Sequence, residues 1–447
     1  MRLFVLLALA FSTGLYADDH LLLPDDEVWP SFRGGSRSGV STNRRLPLKW
    51  DSKTAVAWSV AVPGKGWSSP IVLGKRVFVT TAVSDGETLV ARKGLYITDL
   101  QGKQPPGEYQ WLTLCYDRET GKELWRDIAF AGKAPSTIHI KNSLASETPC
   151  SDGQRLYVYF GNVGVAAYTL EGKLLWKQKR PVRKMQMGWG TGASPVAHEG
   201  KLFLLHDNEE LSELECLDGK TGETLWKVRR DETSNWASPF VWKHALRSEL
   251  VTAGKGRVRS YSLEGKLLWE LRGMSIVTIP TPFATKDYLM IASGYVLDPL
   301  LKPIYAIRPG ASGDISLKGE ETSNKYVAWC LKQAGPYHPT PIVVGEYLYV
   351  LYDRGFLSCY EAATGKAVYE RKRLGGSGFT ASPVAYRNHL ICTNEDGLSF
   401  VIPVGREFAI AHKNDLSGMT LASPALAGDT LLIRTQEKLY ALREATK

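Results

Sequence analysis

The sequence predicts an all-β fold: an eight-bladed β-propeller of four-stranded antiparallel blades, its ring closed by an N-terminal strand. Three observations carry this reading. Eight Ser/Thr-Pro dipeptides end at Pro70, Pro149, Pro195, Pro239, Pro282, Pro341, Pro383 and Pro424, at intervals of 79, 46, 44, 43, 59, 42 and 41 residues. A repeat of that length that reads as four short strands is one propeller blade, so eight starts mean eight blades. Next, a turn glycine is followed four residues later by a large aromatic in five units: Gly121 and Trp125, Gly172 and Trp176, Gly222 and Trp226, Gly265 and Trp269, Gly365 and Tyr369. Finally, the last unit has no fourth strand after Leu439-Tyr440-Ala441-Leu442, while Ala57-Trp58-Ser59-Val60 near the start has the missing character. Pairing those two segments removes an exposed sheet edge.

The elements follow in order. Arg2, an apolar run from position 3 to 11, and small residues up to Ala17 read as a signal peptide over 1–17, too short for a membrane span. Residues 18–47 form an N-terminal extension and 48–447 the propeller. In the third unit Ser194-Pro195-Val196 opens the inner strand, Lys201-Leu202-Phe203-Leu204-Leu205 is the second and Leu214-Glu215-Cys216-Leu217 the third. Asp218-Gly219-Lys220-Thr221-Gly222 turns into an outer strand carrying Trp226. Proline suits an inner strand, one edge of which faces the axial channel and needs no ladder donor. The outer-strand tryptophans read as blade-docking residues.

Strand order sorts the loops by face. Connections between blades share a face with those between second and third strands, so the insertion at 82–110 in blade one and the shorter one at 293–302 in blade five rise there. The 309–325 excursion lies on the other face.

Composition bounds the function. The net charge of +9 is scattered, and no basic-aromatic arrangement points to nucleic acid. Cys115, Cys216 and Cys359 occupy one phase in three separate blades, too far apart to bridge, and Cys150, Cys330 and Cys392 are also expected free. The motifs of zinc proteases, serine hydrolases and phosphate-binding loops are missing, and no histidines have metal-ligand spacing. Gly188-Trp189-Gly190-Thr191-Gly192 lacks a strand-to-helix setting and reads as a loop. The residues just before the Ser/Thr-Pro pairs should ring the channel mouth: Trp67, His139, Lys141, Trp189, Trp236, Tyr337, His338 and Phe379, with Met419 last. Aromatic and polar groups converging on a concavity suit a small molecule, a sugar or a peptide.

The segment Cys115-Tyr116-Asp117-Arg118-Glu119-Thr120-Gly121-Lys122-Glu123-Leu124-Trp125 resembles the docking repeat of the pyrroloquinoline-quinone (PQQ) dehydrogenases and their non-enzymatic, BamB-like exported relatives. Trp29-Pro30-Ser31-Phe32-Arg33-Gly34 and the blade-five run from Ile304 to Ile315 are similar to a PQQ-like branch of exported propellers. The resemblance implies the fold from about Trp29 onward. It carries over no catalytic residue: the dehydrogenases use adjacent cysteines, a calcium and a catalytic aspartate, and no two cysteines are adjacent here. The expectation is therefore an exported, periplasmic or secreted, monomeric binding scaffold with no cofactor, whose partner is an envelope protein or a cell-surface carbohydrate. The alternative is a dehydrogenase using PQQ and calcium at a divergent site, with Asp415 and Glu147 as acidic groups near the channel.

Overall fold

The computed structural model describes residues 27–444 except 44, 97 and 99; the signal-peptide segment lies outside them. Eight antiparallel sheets form the ring. Each Ser/Thr-Pro proline stands immediately before an inner strand: Ile71–Leu73, Cys150–Ser151, Val196–His198, Phe240–His244, Phe283–Ala284, Ile342–Val344, Val384–Tyr386 and Ala425–Ala427. The core lies between blades. Leu202, Leu204 and Leu217 of blade three, for example, pack on Tyr157, Tyr159 and Val165 of blade two.

The hydroxyl residue of each pair latches neighbouring blades. The backbone N–H of Ser69 donates to Thr148 Oγ1 at 3.0 Å, Thr148 to Ser194 Oγ at 2.9 Å, and Ser194 to Ser238 Oγ at 2.9 Å. The chain of bonds continues from Ser238 to Thr281, Thr281 to Thr340, Thr340 to Ser382 and Ser382 to Ser423. An N–H at the start of the inner strand has no ladder partner, and a buried donor must be satisfied. A hydroxyl on the next blade does it at seven seams. At the eighth, buried Arg434 of blade eight donates through Nη1 to Ser68 O, Ser68 Oγ and Thr80 O of blade one.

The N-terminus closes the ring. Val56–Ala61 runs antiparallel to Lys438–Leu442 as the outer strand of blade eight, with Trp58 opposite Ala441. Trp58 then docks on blade one: its Nε1 donates to Arg118 O at 2.8 Å, and its ring covers Gly121, where a Cβ would lie 2.7 Å from the indole. Trp125, Trp176, Trp226 and Trp329 repeat this against Leu170 O, Gly219 O, Leu263 O and Ala362 O, each over the turn glycine of the following blade. That glycine is doubly required, by its positive φ (+73° at Gly121) and by the ring on its face. Tyr369 does the same work against Phe408 of blade seven, ring to ring at 5.9 Å. Trp269 departs from the expected set. It is fully buried and donates to Glu249 Oε2 within its own blade. The 309–325 excursion accounts for this, since its strand Gly313–Asp314 adds in parallel to Leu267–Arg272 and covers that edge.

Trp226 is half-buried rather than fully buried. Trp226→Ala should therefore cost roughly 2 kcal/mol, below the usual 3–5 for a fully enclosed Trp. Chemical denaturation checks this, with Trp226→Phe expected to recover most of the loss.

All six cysteines are free and buried. Burial pushes the thiols of Cys115, Cys150, Cys216, Cys359 and Cys392 up to about 12. No helix among the described residues is long and apolar enough to cross a membrane.

The described part of the N-terminal extension threads the channel. Val28–Trp29 pairs with the inner strand of blade one, Pro30 O accepts from Ser151 N of blade two, and Val40 bridges to Ala385 of blade seven. Between them Arg33, 2% exposed, donates to Thr340 O, Pro341 O and Pro383 O and lies 5.5 Å from the Phe283 ring. One end of the channel is plugged.

Candidate functional site: a chamber on the channel axis

Above the plug lies a chamber of about 260 Å³. Phe32 of the plug and all eight latch residues, from Ser69 to Ser423, line it. Seven of the eight residues expected at the channel mouth line it as well: Trp67, His139, Lys141, Trp189, Trp236, Tyr337 and His338.

Each wall group is held by its loop. Asp207 receives a two-pronged bond from Arg230 (2.7 and 3.0 Å) and one from Asn235 Nδ2 at 2.6 Å, which fixes the loop carrying Trp236. Trp236 Nε1 donates to Gly190 O at 2.7 Å, and its ring lies 5.5 Å from that of Trp189. Asn142 Nδ2 donates to Trp189 O and Thr191 O, tying the His139-Lys141 loop to the glycine-rich loop. The aromatic wall runs on from Trp189 to His139 at 6.1 Å and to Tyr96 at 5.5 Å. Across the chamber Tyr295 and Tyr337 pack edge to face at 5.1 Å. Asp353 accepts the backbone N–H groups of Tyr337 and His338 and pairs with His338 Nδ1, leaving Nε2 as that ring's other polar atom.

The blade-one insertion forms the roof. Its strands reach further than expected, to Ser84 and from Glu108, so residues 85–107 make the loop. Gly94, Leu95, Tyr96 and Leu100 line the chamber. The loop is clamped on the far side: Glu395 accepts from Gly94 N at 2.7 Å and from Lys141 Nζ at 2.6 Å, and Lys93 pairs with Asp396 at 3.0 Å. Lys141 also donates to Gly94 O. Near the other wall Gly102 packs so closely that a Cβ there would lie 1.9 Å from Gly188 O. Tyr295 and Val296, from the 293–302 insertion, complete the roof side.

Four expected positions fall elsewhere. Phe379 is fully buried under Gly355 and against Phe400, because its N–H is drawn to Asp353 O; Thr380 takes the lining position. Met419 is half-buried outside the chamber. Asp415 is exposed at the end of the outer strand of blade seven, remote from the inner strand, and Asp51 bridges to it. Glu147 sits behind the wall, 2% exposed and with Oε1 unpartnered, where burial pushes its carboxyl up to about 7. The sequence placed both insertions on this face; it did not reveal the hydroxyl ring, Phe32, Asp353 or Glu395. The ring alone carried a signal, since its members are the repeat markers themselves.

The architecture and this axial chamber define an eight-bladed propeller with a cavity on its axis. Residues 110–278 match the family model described as outer membrane protein assembly factor BamB, PQQ_2. Among solved structures, BamB from Moraxella catarrhalis is 12% identical, with a TM-score of 0.54 over 82% of this chain and 98% of that one. Quinohemoprotein alcohol dehydrogenase ADHIIG from Pseudomonas putida HK5 is 10% identical, with a TM-score of 0.55 over 95% and 81%. The computationally designed Ika8 protein is 10% identical at 0.52, over 80% and 100%. At these identities the likeness shows the fold. No curated protein sequence matches the chain.

Proposed function

We propose that this protein is a non-catalytic binding propeller of the cell envelope that takes a carbohydrate in its axial chamber. The observation carrying the reading is a roofed, one-ended cavity with aromatic faces on its walls and eight hydroxyls around its floor. Sugars offer apolar C–H faces that stack on aromatic rings and hydroxyls that pair with polar groups, and such a site combines both. The envelope placement rests on the leader-like run ending at Ala17.

The dehydrogenase alternative asks more of the chamber. Trp189 and Trp236 offer a stacking surface for a planar quinone. A calcium beside it needs several oxygen ligands, usually with carboxylates among them. No Asp or Glu lines the chamber, and the described residues hold no group of three His, Cys, Asp or Glu arranged for a metal. The residues do not fit PQQ with calcium.

The test is native mass spectrometry of protein purified from its host, followed by calorimetric titration with envelope polysaccharide fragments. A retained saccharide, with affinity lowered at least about tenfold in Trp236→Ala, is expected for loss of an aromatic anchor. Stoichiometric uptake of PQQ and calcium with substrate-dependent dye reduction would replace this reading by the enzymatic one.

A further inference from the structure

We infer that the chamber is built for an anionic sugar, whose acid group is received by the ring of eight hydroxyls. This rests on the carbohydrate reading for the sugar and on independent grounds for the charge.

The first ground is the fate of the hydroxyl protons. A Ser or Thr hydroxyl has one O–H to give and two lone pairs to accept with. In Thr148, Ser194, Ser238, Thr281, Thr340, Ser382 and Ser423 the oxygen accepts a backbone N–H from the preceding blade. None of these hydroxyls, nor that of Ser69, gives its hydrogen to a protein acceptor among the described residues, and all eight face the chamber. The fold thus uses the lone pairs to hold its blades together and leaves the donors for whatever occupies the axis. A carboxylate or phosphate, which only accepts, makes stronger bonds to such donors than a neutral hydroxyl does.

The second ground is charge. The basic side chains that line the chamber are Lys141, His139 and His338, and no carboxylate does. Lys141 is balanced by Glu395 and His338 faces Asp353, so those pairs add little net charge. The excess comes from two buried arginines that touch the ring's own backbone. Arg33 donates to Thr340 O, and Arg434 to Ser68 O, next to Ser69. Neither has an ion-pair partner among the described residues, whereas buried Arg230, Arg259 and Arg118 are paired with Asp207, Glu232 and Glu27. Glu147, beside Thr148, is the nearby acid, and burial disfavours its charged form. A buried cation without a counter-charge is unfavourable by itself, and an anion on the axis supplies the missing charge.

Ser69 provides the clean test, because its hydroxyl accepts none of the seven latch bonds. Glucuronate, galacturonate and glucose 6-phosphate are titrated against glucose and galactose at low and high salt, with acetate and inorganic phosphate alongside. The acid sugars are expected to bind at least about tenfold tighter than the neutral ones, with the margin shrinking in salt. Ser69→Ala should lower the acid-sugar affinity by about tenfold, more than it lowers the neutral-sugar affinity, and leave the melting temperature unchanged. Whether the uronates or the phosphate bind tighter identifies the acid group. Neutral sugars binding as tightly as acid ones overturn this inference and leave the carbohydrate reading standing. Binding of acetate or phosphate without any sugar keeps the anion ring and overturns the carbohydrate reading. Silence from every probe overturns both.

Discussion

Deleting the chain through Val60 should convert the closed ring into aggregates. The deletion removes the outer strand Val56–Ala61 and leaves Lys438–Leu442 with an open edge, a template for pairing between molecules. It also removes Trp58 from its seat on Gly121 and takes away the plug, in which Trp29, Leu46 and Trp50 pack into the hydrophobic cluster of blades one, seven and eight. Three buried tryptophans at roughly 3–5 kcal/mol each are comparable to the whole 5–15 kcal/mol by which a typical domain is stable, and the lost strand at one seam adds to that. Size-exclusion chromatography should show no monomer peak. Trp58→Ala alone keeps the strand and should fold, but with a melting temperature several degrees lower. A monomeric deletion variant with an unchanged melting temperature would show that the ring closes in some other way.

The same strand shows why so much of the fold was legible. A propeller repeats one solution, and repetition prints residue types at fixed spacing. The Ser/Thr-Pro pairs, the turn glycines and the outer-strand aromatics recur because each blade seam poses the same problem. Even the displaced strand at Trp58 could be assigned, because seven complete blades define what the eighth lacks. The proline was explained by its missing N–H. The more informative neighbour was the Ser or Thr, whose hydroxyl bonds the N–H of the preceding blade. What is not repeated was not legible. The plug and the clamp at Glu395 each occur once, and their partners lie as far as 350 residues apart in sequence. Phe379 illustrates the same limit within a repeat. It stands three residues before Ser382, much as His338 stands two before Thr340, yet one backbone bond to Asp353 turns its loop so that Thr380 faces the axis. Loop direction depends on such single contacts, and strand periodicity does not encode them.

Glu147→Gln should make the protein more stable at alkaline pH and leave it nearly unchanged in mild acid. Glu147 occupies the position just before Thr148 of the ring, a position held by Ala193, Ala237, Ala381 and Ala422 in other blades. There it is 2% exposed, with Oε1 unpartnered. Desolvation is the main cause that lifts its carboxyl from an ordinary 4.5 to about 7, and a bond from Thr191 offsets only part of it. The folded-state value is thus raised above that of the unfolded chain. Between about pH 4.5 and pH 7 the unfolded chain has already lost this proton while the folded chain keeps it, so folding takes up a proton and stability falls as pH rises. Below that window both states are protonated and the residue is neutral in effect. Above it the folded protein holds an ionised carboxylate in an apolar wall, at a cost on the order of 3 kcal/mol from 1.36 kcal/mol per pH unit over the window. Glutamine has the same shape and no charge to bury, so the variant should gain up to that amount at about pH 8 and little at about pH 4.5. Guanidinium unfolding of both proteins across this range measures the difference directly. A gain independent of pH would place its origin in packing or in the amide's new bonds, and would show that Glu147 does not hold its proton in the folded chain.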